Sequence, residues 1–420
     1  MSNIIRNIKG TKDILPDESN VWQYIEDKIH SFFKIYGYSE VRTPAFENTA
    51  LFKRSIGEET DIVSKEMYNW IDQGGNNLTL KPEVTASVAR LFIQHNLGKI
   101  NPINKLYYID SLFRRERPQK GRFRQFQQFG VEALGSKYPE QDAEVIALIY
   151  NFYQYIGLKK ITLKINSIGS KETRNKYKEQ LYQYLLPFKN DLTTVSQTRL
   201  KNNPLRILDT KIDFEINIIK DAPHIIDCLN DEDKLHFDAV LHYLDLLKIS
   251  YTIDHKLVRG LDYYSRTVFE IQSSELGAQD ALCGGGRYDY LIKDLGGEST
   301  PAFGFAAGLE RLIIALNLSN EKLKDIPDIY IISIGDNAIN LSVQLSNELR
   351  LNEKLIIHTD TLRRSLKAQM KEANKLKAKY TIIIGDDEIQ NKQVTIKNMK
   401  DGQQDSIHLN NIKSYFNNTK

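Results

Sequence analysis

The sequence is poor in the residues that staple or anchor a chain. Its two cysteines, Cys228 and Cys283, are too few and too far apart for a disulfide framework, and neither belongs to a CxxC pair. A reducing compartment, the cytoplasm, is the expected location. No apolar run approaches the roughly 20 residues needed to cross a bilayer, so no membrane partner is expected. The N-terminal stretch MSNIIRNIKG lacks the long apolar core and cleavage signature of a secretory signal. The eight histidines, from His30 to His408, are scattered without an HExxH or a Cys/His cluster, so no protein-held metal is expected. Charge of one sign is also lacking, because 57 basic and 54 acidic residues leave a net charge of +3. Any anionic partner must then be met by local patches.

What is there reads as a globular chain. The 420 residues suggest two to three domains, and 41% hydrophobic with 26% charged residues is ordinary composition. In DESNVWQYIEDKIHSFFKIYGY, Val21, Ile25, Ile29, Phe32, Phe33 and Tyr36 fall on one helical stripe that Gly37 ends. YSEVRTPAF follows as a short strand ended by Pro44. LTLKPEVTASVARLFIQHNL reads as a strand end and a helix, with Pro82 in the first helical turn. Residues 105–135 read as strand, turn PQKG and strand, and residues 140–158 as an amphipathic helix. From about 171 to 248 long helical stretches replace the strand signals and look like an insertion. Strands return in SYTIDHKLVRGLDYYSRTVFEIQ and ALCGGGRYDYLI, and GFAAGLERL passes from strand to helix. The polar stretch 318–328 marks a boundary, and the alternating β and α signals beyond it predict a small α/β domain.

Five constellations carry charge into this framework. In FRRERPQKGRFRQFQQFG, six of the eleven positions from Arg114 to Arg124 are cationic, with only Glu116 opposing them. A solvated basic hairpin is one reading. A built anion site is the other, because arginine keeps its charge and its planar fork matches phosphate or carboxylate. The second reading gains from the next strand, where Phe126, Gln128, Gly130 and Glu132 share one face. That face suits the floor of a polar pocket, with an aromatic ring on which a base can stack. In LVRGLDYYSRTVFE, Arg259 lies between Val258 and Gly260 and needs a partner if buried; aromatic strand packing is the alternative. The triple glycine of CGGGRYD permits positive φ and close backbone approach, but has the spacing of neither GxxxxGK[ST] nor GxGxxG. Arg311 stands in the first turn of a helix, where it joins an anion-favouring N-terminus or sits on the surface. Lys367, Lys371 and Lys375 form a basic stripe that is a solvated face or a nucleic-acid contact.

Together these pieces resemble the histidyl-tRNA synthetase family of class II aminoacyl-tRNA synthetases. FRRERPQKGRFRQFQQFGVEALG resembles the second class motif and GFAAGLERL the third. The helix and strand ending at Pro44 resemble the first, which in the class lies at a dimer interface. LVRGLDYYSRTVFE and GGGRYD resemble the two histidine-specific signatures, and NPLRILDTK a further family stretch. RRSLKAQMKEANK and TIIIGD resemble the anticodon-binding domain. The likeness runs from KGTKDILP at 9–16 to the end; Lys81 and Val84 stand where the family commonly has arginine and glycine.

The resemblance implies an α+β fold. A catalytic domain (1–325) would hold a six-stranded antiparallel sheet with the helical insertion, and an anticodon-binding α/β domain (326–420) would follow. It implies ATP-dependent activation of histidine and transfer to the 3′ end of tRNA-His, with the acceptor end and anticodon as contacts. Magnesium would ride on the ATP phosphates, and the chain would form a homodimer. Carried over by position, Arg114 would bridge the α-phosphate and the histidine carboxylate, and Glu116 and Phe126 would hold the adenine. Arg122 and Arg311 would hold the outer phosphates, and Glu83 and Thr85 the α-amino group. Gln128 and Glu132 would complete the polar pocket, Tyr264 and Tyr288 would contact the imidazole, and Arg259 would stabilise charge during attack. The turn Pro118–Gly121 would be free to meet the acceptor end. The rival is a non-catalytic paralogue such as the regulatory subunit of ATP phosphoribosyltransferase, which erodes the catalytic arginines.

Overall fold

The computed structural model describes residues 4–57, 60–119, 121–277, 280–318 and 323–417. Lys120 of the basic turn and 319–322 of the expected boundary lie outside the described residues. The chain divides into two compact units, Met1–Ser319 and Asn320–Lys420.

The first unit is built on one sheet. Its strands are β1 (Ser39–Glu40), β2 (Asn104–Phe113), β3 (Gln125–Leu134), β4 (Ile161–Ser167), β5 (Tyr251–Ile253), β6 (Ser265–Ser273), β7 (Ala281–Arg287) and β8 (Ala302–Gly308). Their spatial order is β1-β2-β3-β8-β7-β6-β4-β5. The expectation of six antiparallel strands needs a correction: six are antiparallel, and the short β1 and β5 extend the edges in parallel to β2 and β4. Strand signals at both places do not show this pairing, because two- and three-residue edge strands carry too little periodicity to reveal which neighbour they join.

One face of the sheet is covered by aromatic packing. Helix α1 (Pro16–Ile35) starts with proline at its first positions and Asp17 and Glu18 in its first turn, which suits the helix dipole. Its buried stripe is Val21, Ile25, Ile29 and Phe33. The Phe33 ring meets Tyr107 at 5.6 Å, Phe129 at 6.1 Å and Phe152 at 5.5 Å. Alternation along β3 sends Phe129 and Val131 to this side and Phe126, Gln128 and Glu132 to the other.

Three local expectations shift. YSEVRTPAF forms two short strands around Pro44, the second (Phe46–Asn48) joining a separate sheet with Tyr68–Ile71 and Asn77–Leu80. Helix α2 (Thr85–Gln94) starts at Thr85, so Pro82 precedes it. Strand β3 begins at Gln125, so Arg122 and Arg124 belong to the loop before it.

The insertion carries helices α3 (Lys171–Leu185), α4 (Thr194–Asn202) and α5 (Asp231–Leu246). Ser170, Thr193 and Asn230 cap them, each accepting a backbone N–H from the first turn. Its apolar residues, among them Leu181, Leu185 and Leu200, belong to the same buried cluster as Tyr263, Tyr264 and Tyr288.

In the second unit, strands β9 (Ile329–Ser333), β10 (Ile357–Thr359), β11 (Tyr380–Ile384), β12 (Gln393–Asn398) and β13 (Gln404–His408) order as β10-β9-β11-β12-β13. The first three are parallel and the last two join antiparallel. Helices α6 (Asp336–Glu353) and α7 (Leu366–Lys375) complete it, and Lys367, Lys371 and Lys375 are exposed along α7.

Candidate active site

A cavity of ≈ 280 Å³ is lined by side chains from β3, β6, β7 and the helix Leu309–Leu316. Among its lining residues are Arg114, Glu116, Arg122, Phe126, Gln128, Arg259 and Arg311. The fold thus gathers four arginines that are up to 197 positions apart, from Arg114 to Arg311. Glu116 sits between two of them, 3.3 Å from Arg122 and 3.8 Å from Arg114. The Arg114 guanidinium lies 5.3 Å from the Phe126 ring centroid and donates to the Pro82 carbonyl at 2.9 Å. Arg311 donates to the Ala281 carbonyl at 2.8 Å, and burial with nearby Arg122 pulls its pKa down. Like charges at this spacing repel, and an anion between them relieves the repulsion.

A second group sits against the same strand face, four residues beyond Gln128 along β3. Thr85 donates its hydroxyl to Glu132 at 2.6 Å, and the Tyr288 hydroxyl donates to the other Glu132 oxygen. Burial pushes the Glu132 carboxyl up to about 8, and that of Glu83 up to about 6. Glu83 accepts from the Ala86 amide at 3.0 Å. Its other oxygen, the Gln128 carbonyl oxygen and the Tyr108 hydroxyl are buried without a hydrogen-bond partner. Each such orphan costs about 1–3 kcal/mol. Together they mark a place where a ligand's donors and acceptors would complete the network. Tyr264 lies 4.7 Å from Tyr263, which meets Tyr288 edge-on at 5.6 Å, giving an aromatic wall.

Arg259 is held at 2.8 Å by Glu270 of β6. Its Nε is buried without a partner. The triple glycine explains how the guanidinium fits. A Cβ on Gly284 would fall 2.1 Å from Arg259 Nη2, and one on Gly285 would fall 2.2 Å from the Gly304 carbonyl oxygen. Positive φ plays no part, because none of Gly284, Gly285 or Gly286 adopts it. The requirement is close approach alone. Gly304 serves the same purpose beneath Glu132, whose Oε2 would lie 2.0 Å from an added Cβ.

Several supporting residues were not singled out from the sequence. Glu310 accepts from the Gln127 amide at 2.8 Å and ties the helix of Arg311 to β3; burial pushes its carboxyl up to about 7. The Arg124 amide donates to the Gly10 carbonyl at 2.7 Å, so the segment before α1 straps the basic loop. Arg287 is wholly buried, bonded to Asp142, with Asp289 at 3.0 Å. Lys81, which the sequence marked only as a departure from the family pattern, is buried too, donating to Asp110 and to the Thr43 carbonyl at 3.0 Å. A carboxylate beside an arginine, as in GLERL, was the available signal for Glu310; a carboxylate in the otherwise apolar run VFEI was the signal for Glu270.

Comparison with known proteins decides the family. The family model described as histidyl-tRNA synthetase matches residues 10–312, and that described as anticodon binding domain matches 328–419. The chain belongs to the histidyl-tRNA synthetase family. The histidine–tRNA ligase of Halothermothrix orenii is 50% identical over 407 residues, covering 96% of this chain and 97% of the relative. That of Staphylococcus haemolyticus is 45% identical over 419 residues, covering 98% and 99%. The crystal structure of apo S. aureus histidyl-tRNA synthetase superposes with a TM-score of 0.82 at 40% identity, covering 98% of this chain and 100% of that one. A structure from Bacillus halodurans described as an ATP phosphoribosyltransferase regulatory subunit/histidyl-tRNA synthetase has a TM-score of 0.65 at 22% identity over 92% of this chain and 99% of that one, which is a likeness of fold.

Membership of the histidyl-tRNA synthetase family makes the Gly284 contact testable. Gly284→Ala is expected to displace the Arg259 guanidinium and slow ATP–pyrophosphate exchange on the order of a hundredfold, the scale of losing one preorganised donor. Circular dichroism should be unchanged. Wild-type exchange in the variant would show that the close approach is unnecessary.

Proposed function

We propose that the chain activates histidine with ATP to histidyl-adenylate and transfers the histidyl group to the 3′ end of tRNA-His. The observation that carries this reading is the convergence of Arg114, Arg122, Arg259 and Arg311 on one cavity beside a protonatable carboxyl pair. It also disfavours the regulatory paralogue, in which these arginines erode.

In the first step a carboxylate oxygen of histidine attacks the α-phosphorus of ATP. The new P–O bond forms as the bond to pyrophosphate breaks. Negative charge gathers at the α-phosphate and on the leaving group, and fixed cations in a water-poor site offset it. Arg259 and Arg114 would meet the α-phosphate, with Arg114 also reaching the histidine carboxylate. Arg122 and Arg311 would hold the outer phosphates, and Phe126 and Glu116 the adenine. Glu83 and Thr85 would take the α-ammonium group. Gln128 and Glu132 would line the polar pocket, where Tyr264 and Tyr288 would meet the imidazole. In the second step the terminal tRNA hydroxyl attacks the acyl carbon and AMP leaves.

Magnesium suits the donor set only as a partner of the phosphates. Glu116 and Glu270 offer hard oxygen donors on the cavity wall, but each is committed to an arginine. The ion would add positive charge near the phosphates when bound, and these two carboxylates are the groups that would touch it.

The second unit would bind the anticodon through the exposed lysine stripe. The chain would work as a cytoplasmic homodimer; among the described residues no helix is long and apolar enough to cross a membrane. Exposed Phe46, Trp70 and Ile71, on the small sheet beside the first class motif, would form part of the subunit contact.

Three outcomes test this reading. Exchange measured with each of the twenty amino acids should respond to histidine, and Arg259→Ala should abolish that response by orders of magnitude while ATP still binds; a response to another amino acid alone would overturn it. Histidine affinity should rise from pH 6 to 8, because a cationic ligand draws protons from Glu83, at about 6, and Glu132, at about 8. The signs agree: these raised carboxyl pKa values favour the unliganded fold at low pH, and that benefit fades as pH rises through them. Calorimetry in buffers of different ionisation enthalpy would detect the released protons, and Glu132→Gln should remove the upper part. Replacing Lys367, Lys371 and Lys375 together by alanine should raise the KM for tRNA in aminoacylation and leave exchange unchanged; equal losses in both assays would count against the anticodon assignment.

A further inference from the structure

The segment Val258–Tyr264 supplies both Arg259 and the tyrosine wall, yet it belongs to no strand or helix. It is held from outside the sheet. Arg174, on the first helix of the insertion, donates through Nη1 to the Asp262 carbonyl at 3.2 Å and to the Tyr264 carbonyl. The Asp262 carboxylate accepts from Arg206 Nη2 at 3.4 Å and from Asn203 Nδ2 at 3.4 Å. On its other side the Asp262 amide donates to the Ile56 carbonyl at 3.3 Å. The same carboxylate lies against Gly57, where an added Cβ would sit 2.6 Å away. The loop is therefore clasped between the insertion and the end of the helix Thr49–Ile56.

We propose that Arg174 and Arg206 are positioning residues for histidine recognition. Through them the helical insertion sets where Tyr263 and Tyr264 stand. Neither arginine lines the cavity, so neither touches the reacting atoms. Burial lowers the Arg174 pKa, and its donors are met by main-chain carbonyls of the loop. A carbonyl acceptor fixes backbone position, and the side chains that follow inherit it. The insertion's helices are also packed by Leu181, Leu185 and Leu200, which share a buried cluster with Tyr263 and Tyr264. The ATP side of the cavity is built mainly from the basic loop, Phe126 and the helix of Arg311; of the lining residues the clasped segment supplies Arg259, which Glu270 of β6 also holds at 2.8 Å. The consequence is a selective one: loosening the clasp should disturb histidine binding and spare ATP.

This inference rests on the activation reading above, and the test separates the two. Pyrophosphate exchange is followed at varied histidine and varied ATP for the full-length wild type, Arg174→Met and Arg174→Lys. Methionine keeps most of the stem and removes the donors; lysine restores a charged donor. Arg174→Met is expected to raise the KM for histidine on the order of tenfold, as for loss of a charge-assisted bond. The KM for ATP should stay within about twofold, and Arg174→Lys should recover part of the loss. The thermal unfolding midpoint should match wild type. Arg206→Met frees the Asp262 carboxylate from the same clasp and should give the same split, which keeps the proposal testable if Arg174→Met does not fold. An unchanged histidine KM in the folded variants, or an equal rise for both substrates, overturns the positioning role. Absence of histidine-dependent exchange in the wild type overturns the activation reading itself.

Discussion

The central sheet can carry charged groups across its face only where the neighbouring strands have no side chains. Arg259 lies over Gly284, the Glu132 carboxylate over Gly304, and the Tyr108 hydroxyl over Gly130. Antiparallel strands sit roughly 4.8 Å apart, so a guanidinium laid flat on them displaces whatever would project from the strand beneath. Gly284 pairs with Glu270 in the ladder between β7 and β6, which puts the partner of Arg259 beside the gap made for it. Pocket and sheet are thus one construction. A methyl group at Gly284 would meet the Arg259 guanidinium, whereas one at Gly285 or Gly286 would strike a carbonyl oxygen of a neighbouring strand.

The electrostatics divide along β3. Toward Phe126 the wall is cationic and partly open, with Glu116 between Arg114 and Arg122. Toward Glu132 it is closed, and burial keeps carboxyl groups protonated at pH values where free carboxylates are charged. One strand face therefore presents an anion-seeking end and a proton-holding end. Under the proposed reading, an amino acid with an ionised carboxylate and ammonium group would meet both at once.

The loops between these strands are fixed by elements remote in sequence. The segment before α1 straps Arg124, the helix of Arg311 clamps Gln127 through Glu310, and the insertion clasps Asp262. Each tie goes to backbone or to the residue next to a functional side chain. Irregular segments have unpaired N–H and C=O groups that need partners, and these ties supply them while fixing the side chains.

Much of the architecture was legible in the sequence because it is written in periodicity and side-chain type. The stripe of α1, the alternation of Phe126, Gln128 and Glu132, and the order of the arginine-bearing motifs are local properties, and they hold. Pro82 and Arg122 were read into the helix and the strand that follow them, because strand and helix ends depend on which neighbour completes the hydrogen bonds. The parallel pairing of the short β1 and β5 with β2 and β4 went unseen for the same reason, since it is decided elsewhere in the chain. Sequence determined which residues could bind an anion and which face they would share. Tertiary structure alone decided that Arg259 pairs with Glu270, that the glycines serve close approach and not a turn, that Glu132 holds its proton, and that Arg174 reaches the tyrosine loop. Those outcomes depend on distances and burial between residues far apart along the chain, which no local pattern encodes.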